Sequence, residues 1–254
     1  MIYITGDTHG EVRRFFEPQL PCMDWGPEDK LIVAGDFGML FGNGSIDAKK
    51  LDLLAGCPFE ILFLDGNHEC FPEIFSFEEQ EYCGGRVHRI RDNIRHLMRG
   101  QVYEIEGLRI FTMGGGYSID QWMRIPGRSW WPEEMPSEAE YAEGLRNLSR
   151  CGNAVDVMIS HAAPTGSMRE LMRIGVFSSL FPQEAPLGDY LEKVAATTRH
   201  RHYYFGHIHL DRELPGNRTA LYHSVLCLNT ELDGPAPERT DRKGDKDGGT
   251  DTPG

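Results

Sequence analysis

The sequence predicts an α/β protein of two packed sheets with helices on the outside, on three observations. Short apolar runs recur along the chain, each closing on a glycine or a polar cluster. Helical patterns separate several of these runs, and the middle of the chain instead strings strand-like segments together through tight links.

The runs are MIYIT before Gly6, LIVA before Gly35, EILFL before Asp65, VDVMI before Ser160 and HYYF before Gly206. Each is apolar almost throughout, which is how a strand covered on both faces reads. Helical patterns over 47–56, 137–150 and 187–199 lie between strands and so make βαβ units. Segments 86–90, 94–98, 101–106 and 108–113 predict a meander, its last turn at Glu106-Gly107, and 218–223 with 225–230 predict a closing antiparallel pair. From Asp233 the chain reads DGPAPERTDRKGDKDGGTDTPG, with no aromatic or large aliphatic residue to offset the entropy of ordering. One domain over 1–232 and a disordered tail over 233–254 are therefore expected.

Composition narrows the function classes. The 26 basic and 39 acidic residues give a net charge of −13, which argues against nucleic acid or anionic lipid as a partner and favours a bound cation. Arginines 86, 89, 91, 95 and 99, with His88 and His96, are then expected to form a solvated face. The six cysteines show no CxxC pair, as expected of free thiols in a reducing compartment. The first ten residues leave no room for a signal peptide, and no apolar stretch approaches the about 20 residues needed to span a bilayer. A cytoplasmic protein without membrane attachment is the expectation.

The chemistry gathers where the apolar runs end. After them come in turn Gly6-Asp7-Thr8-His9, Gly35-Asp36, Gly66-Asn67-His68-Glu69, Ser160-His161 and Gly206-His207-Ile208-His209. In an open α/β sheet, ligands bind beyond the carboxyl ends of the strands. Residues two apart on extended chain point the same way, so Asp7 can join His9 and His207 can join His209. Carboxylate, imidazole and amide donors without thiolate suit first-row divalent ions. Seven such residues are too many for one tetrahedral ion and fit two ions sharing a carboxylate, roughly 3.5–4 Å apart. Read singly, each has a plainer role: N-capping for Asp7 and Asp36, a turn for Asn67, a structural hydrogen bond for His161.

The ordered set GDTH, GDFG, GNHE, a later histidine and GHIH resembles the calcineurin-like metallophosphoesterase superfamily over roughly 1–230. The resemblance implies a four-layer α/β/β/α sandwich of two mixed sheets, with the metal site at the carboxyl ends of the strands. It also implies two divalent cations, manganese first and iron or zinc as alternatives. Asp7, His9 and His209 would hold one ion, Asn67, His161 and His207 the other, and Asp36 would bridge them. His68 would be the catalytic residue, touching the phosphate and protonating the leaving oxygen while a metal-bridging hydroxide attacks. The implied activity is hydrolysis of a phosphate mono- or diester, with a small phosphorylated substrate as the partner.

The protein-phosphatase branch follows its second motif with an acid and an arginine, whereas Met39 and Leu40 stand here, which disfavours the alternative of a phosphoprotein (Ser/Thr) phosphatase. A second alternative is a non-catalytic, metal-stabilised scaffold or binding module. The connection 114–136 carries three of the four tryptophans and predicts a specificity loop over the cleft, with Tyr117, Arg124, Arg128, Trp130 and Trp131 as substrate contacts. Arg124 or Arg128 would then replace the missing phosphate arginine. The competing role for the tryptophans is to anchor the loop. Asp65 and Glu69 are expected to support a ligand or the loop.

Overall fold

The computed structural model describes residues 1–232 apart from 17, 19, 23, 43 and 180, together with 236 and 237. The tail expected over 233–254 otherwise lies outside the described residues.

The elements run β1 (Ile2–Thr5), β2 (Lys30–Val33), α1 (Ser45–Leu54), β3 (Glu60–Phe63), α2 (Phe71–Ile74), β4 (Glu79–Tyr82), β5 (Gly85–Arg91), β6 (Ile94–Leu97), β7 (Gln101–Ile105) and β8 (Leu108–Met113). They continue with α3 (Glu138–Arg150), β9 (Val157–Ser160), α4 (Thr165–Arg173), α5 (Ala185–Thr197), β10 (His202–Phe205), β11 (Arg212–Leu214), β12 (Arg218–Ala220), β13 (Leu226–Cys227) and α6 (Leu228–Glu231). Strand order is β13-β1-β2-β3-β6-β5-β4 in the first sheet and β11-β12-β10-β9-β8-β7 in the second. Both are mixed. β1, β2, β3 and β6 run parallel, as do β8, β9, β10 and β12, and the outer strands pair antiparallel.

Alternation along the buried strands builds the layers. In β2 and β3, Leu31, Val33, Ile61 and Phe63 face one way, into an outer core with Leu51 and Leu54 of α1. Ile32 and Leu62 face the other way, into a central core shared with Tyr103, Ile110, Val157, Ile159 and Tyr204 of the second sheet. Met158 and Tyr203 then point outward from the second sheet against Leu148 of α3 and Leu191 of α5. The result is four layers, helix, sheet, sheet and helix, because strands apolar on both faces need a cover on each side. The α3 helix begins where its sequence signals: Ser137 Oγ accepts from Glu140 N at 3.3 Å, and Glu140 Oε2 accepts from Ser137 N at 2.7 Å.

Two expectations are corrected. The central segments do not form one meander. β5 and β6 belong to the first sheet, β7 and β8 to the second, and the chain crosses between sheets around Gly100. Gly100 has φ +69°, and a Cβ there would sit 2.8 Å from Gly144 N of α3, so the crossing passes too close to the helix for a side chain. Nor do 218–223 and 225–230 pair: β12 joins β10 and β11, while β13 pairs with β1 and the chain then turns into α6. Among the described residues no helix is long and apolar enough to cross a membrane, and none of the six cysteines is in a disulfide.

The arginine-rich stretch is only partly a solvated face. His88 and His96 are cross-strand partners, each 3% exposed, with their Nδ1 atoms 3.0 Å apart. His96 Nε2 meets Asp65 Oδ1 at 2.9 Å. Burial first, and His96 next, push His88 down to about 4. A histidine depressed below its unfolded value of about 6.5 contributes stability that is present above pH 6.5 and lost as pH falls through 4. Urea unfolding at pH 7.5 and pH 4.5 should therefore show wild type losing on the order of 2–3 kcal/mol more than His88→Gln. An identical pH dependence in the two proteins would remove His88 from this role.

Candidate metal centre

Loops leaving β1, β2, β3, β9 and β10 meet at the carboxyl edge of the two sheets, and they bring all seven sequence-predicted donors together. Two groups of side chains place their donor atoms within 4.8 Å of one another: Asp7, His9, Asp36 and His209 in one, Asp36, His161 and His207 in the other. Asp36 belongs to both. Asp7, Asp36 and His161 are at most 1% exposed, whereas His9 and His209 are partly open to solvent.

The backbone at these positions is strained. His9 (φ +46°), Asp36 (+47°), His207 (+67°) and His209 (+49°) all adopt the left-handed conformation that non-glycine residues avoid. That conformation turns their side chains inward at the ends of otherwise regular strands. Gly66 serves by lacking a side chain: a Cβ there would fall 2.1 Å from Asp36 Oδ1 and 2.6 Å from His161 Nε2.

The donor set fits cations better than it fits itself. His161 Nδ1 lies 3.0 Å from the Ala34 carbonyl, which accepts its proton and leaves Nε2 as a bare lone pair. That Nε2 faces Asn67 Oδ1 at 3.3 Å and Asp36 Oδ1 at 3.4 Å. Asn67 Nδ2 donates to Ser118 Oγ at 3.2 Å, which turns the amide oxygen inward. In that tautomer His161 Nε2 faces two side-chain oxygens with no side-chain proton between them, although Asp36 Oδ1 also accepts from the His68 backbone N–H. In the other group, His9 Nε2 and His209 Nε2 stand 2.8 Å apart. Asp7 Oδ2 is buried without a well-formed hydrogen bond and faces His209 Nε2 at 3.2 Å and His9 Nε2 at 3.7 Å. A positive ion held by these residues would relieve each crowding.

The charges follow from the same packing. Burial alone would raise the Asp36 carboxyl, but His161, His68, His9 and His207 outweigh it and hold the group at about 2. Burial works against a charged His207, yet Glu184, 2.9 Å from its Nε2, lifts it to about 9. Burial, and then Asp36, hold Glu69 well above the usual carboxylate range.

His68 stands beside the cluster, outside both groups of donors. Its backbone N–H donates to Asp36 Oδ1 at 2.8 Å, its ring lies edge-on to His9 at 4.9 Å, and Arg124 Nη2 approaches its Nε2 at 3.2 Å. Burial first, then Arg124 and the neighbouring histidines against the pull of Asp36, bring it down to about 4.

A cavity of about 380 Å³ opens over this centre, and Tyr117 and Arg124 of the 114–136 loop line it. The other three loop residues sit elsewhere. Arg128 is exposed, and Trp131 is 4% exposed and edge-on to Phe41, anchoring the loop. Trp130 forms an isolated bridge with Pro126 within the loop. None of these three lines the cavity.

Sequence reasoning missed Glu184, which binds His207 Nε2 and accepts from Tyr117 N at 3.0 Å. It missed Arg99 and Glu134 as well. Arg99 binds Asp65 Oδ2 through Nε at 2.8 Å and Nη2 at 2.6 Å and donates to the Glu133 carbonyl, while Glu134 Oε2 accepts from Ser118 N at 3.2 Å. The stretch between Phe63 and Cys70 thereby acquires its reasons: Asp65 ties the loop base to β6, and Glu69 accepts from Gly38 N at 3.0 Å and Gly66 N at 2.7 Å, joining the Asp36 and Asn67 loops.

A buried cluster of mixed nitrogen and oxygen donors, with a histidine and a guanidinium at its edge, is an arrangement that suits metal-assisted hydrolysis. The family model for calcineurin-like phosphoesterase matches residues 1–211, a span that contains every donor named above, and the chain belongs to that family. It is a phosphoester hydrolase. No curated protein matches the chain. Among solved structures, a phosphopantetheinyl hydrolase from Mycobacterium tuberculosis is similar at 15% identity over 87% of each chain, with a TM-score of 0.42.

The steric argument at Gly66 is testable without turnover. Gly66→Ala forces a Cβ onto Asp36 and His161, so it should lower stability by about 2 kcal/mol or more in metal-free protein. Gly26→Ala, whose Cβ meets nothing within 4 Å, should leave the urea midpoint nearly unchanged. Equal midpoints for the two variants would show that the Gly66 contact is easily relaxed.

Proposed function

We propose that the chain hydrolyses phosphate mono- or diesters with two divalent cations, manganese first, held by the two side-chain groups that share Asp36. The observation that carries this reading is that the two groups of possible ligands share buried Asp36, with His161 Nε2 facing the oxygens of both Asn67 and Asp36. Asp7, His9 and His209 would hold one ion, Asn67, His161 and His207 the other, with Asp36 common to both. When bound, the ion pair supplies a hydroxide nucleophile near neutral pH and positive charge for the phosphoryl oxygens.

The chain's own groups do the rest. Arg124 offers its Nη2 as a charged donor to a phosphoryl oxygen beside His68, a role that Met39 and Leu40, both fully buried, do not fill. Without substrate, the Arg124 contact and burial favour the neutral imidazole. A phosphate arriving between them engages the guanidinium and places negative charge against the ring. Both changes favour a proton on His68 Nε2, the atom that faces the cavity and gives that proton to the leaving oxygen. Glu184 keeps His207 Nε2 occupied, so Nδ1 is the nitrogen that would face a metal. The same geometry favours an enzyme over a scaffold, since a scaffold has no use for His68 and Arg124 poised beside the donors.

Calorimetry with Mn²⁺ and turnover of p-nitrophenyl phosphate against bis-p-nitrophenyl phosphate test this reading together. Wild type should bind two ions and hydrolyse at least one ester. His68→Ala should keep both ions and lose about a hundredfold or more in kcat, whereas Asp36→Ala should lose metal as well. An empty site in His68→Ala would reassign that residue as a ligand. Bound metal in wild type with no turnover of either ester would sink the hydrolase mechanism.

Arg124→Ala should lower kcat/KM about tenfold or more, and Arg128→Ala, exposed and away from the cavity, should match wild type. The reverse pattern would move the phosphate contact to Arg128.

A further inference from the structure

The cavity over the metal centre has two unlike sides. Its floor holds Asp36, Asn67, His68, His207 and His209, while the wall beyond is built by Ile119, Met168, Phe177, Phe181 and Ile208. These five come from three separate segments: the loop after β8, α4 with the chain that follows it, and the loop after β10. The wall is backed by a core. Met168 is 7% exposed and packs with Leu171 and Phe205, and Phe177 and Ile208 lean on the same cluster. At the mouth, Ile119 is 56% exposed, and the apolar surface continues over Trp122 (82%), Met123 (63%) and Ile125 (57%).

Basic side chains on the same lining are few. Arg124 is the sole lysine or arginine among the lining residues, and its Nε is already paired with Asp120 Oδ1 at 2.7 Å. The remaining charged side chains, Asp36, Asp120 and Glu184, are acidic.

We propose that the substrate is a phosphate ester of an apolar alcohol, aromatic or branched aliphatic, whose organic group lies on the Ile119, Met168, Phe177, Phe181 and Ile208 wall while the phosphate sits at His68 and Arg124. This rests on the reading of the site as a phosphoesterase and adds the class of its leaving group. A sugar or glycerol ester would press its hydroxyls against a wall without partners for them, at a cost for each unpaired group. A second phosphate would find no lysine or arginine on the lining beyond Arg124. An aromatic or aliphatic group instead removes its own apolar surface, and that of the wall, from water.

The test uses binding as well as turnover. Phenylphosphonate and methylphosphonate, which carry the same charged group and differ only in the apolar part, are titrated calorimetrically into the Mn²⁺-loaded protein. Phenylphosphonate should bind at least tenfold tighter, and the ratio of the two affinities should shrink by threefold or more in both Phe181→Ala and Ile119→Ser. Ile119 lies at the surface, so its substitution leaves folding intact. In turnover, phenyl phosphate should exceed glycerol 3-phosphate at least tenfold in kcat/KM. Equal affinities of the two phosphonates, or a ratio unmoved by both substitutions, would overturn the proposal. Equal turnover of the two esters would overturn it while leaving the hydrolase reading intact. Preferential phenylphosphonate binding with no turnover of any ester would support the apolar wall and overturn hydrolysis instead.

Discussion

One buried carboxylate sets the terms for the rest of the molecule. Asp36 is 1% exposed, yet His161, His68, His9 and His207 keep it ionised despite burial. Burying an ion without compensation costs several kcal/mol, so the fold must surround it with hydrogen bonds and opposite charge. It does so with backbone: Asp36 Oδ1 accepts from His68 N, and the Asp36 carbonyl accepts from both Thr8 N and His9 N at 3.0 and 2.8 Å. Three strand-end loops are thereby fixed to one residue, and its left-handed backbone is held by contacts on every side. Within this cluster Asp7 Oδ2 is left buried without a well-formed hydrogen bond, which is where a cation would gain most.

The second constraint is how the loop over the cavity is held. Asp65 closes β3 and binds His96 of β6 on one oxygen and Arg99 on the other, and Arg99 in turn carries the carbonyls of Glu133 and Glu134. Glu134 reaches Ser118, and Ser118 orients the amide of Asn67. A continuous set of buried polar contacts therefore runs from the sheet, through the far end of the loop, and back to a metal donor. Each member is satisfied by the next, which makes the network rigid and makes loss of any one member costly.

Most of the frame could be read from the sequence because its physics is local. Unbroken apolar runs announce strands buried on both faces, and the Ser137 to Glu140 spacing announces the start of α3. The clustering of the candidate donors was legible for a different reason, since motifs at successive strand ends converge in an α/β sheet. What escaped depends on long-range pairing. Nothing in 86–113 says that the chain changes sheets at Gly100, because antiparallel neighbours read alike whether they share a sheet or not. Glu184, Arg99 and Glu134 look like ordinary charged residues of helix ends and loops. Their roles exist only through partners between 16 and 67 positions away. Trp131 shows the opposite error: a large aromatic in a long loop invites a ligand role, while burial against Phe41 gives it a structural one.

The acidic composition and the single cavity arginine belong together. A phosphoesterase can attract its substrate with basic side chains or with bound metal, and this chain, at −13, has placed one guanidinium in the cavity. On the proposed reading, the field that draws a phosphate inward would come from cations bound between Asp7, Asp36 and the histidines, reinforced at close range by Arg124. That division leaves the outer half of the cavity free of charge-binding duties. An apolar wall there does not compete with the metal centre for the phosphate, so selectivity for the organic group can reside on Ile119, Met168 and Phe181 without disturbing the donors beneath them.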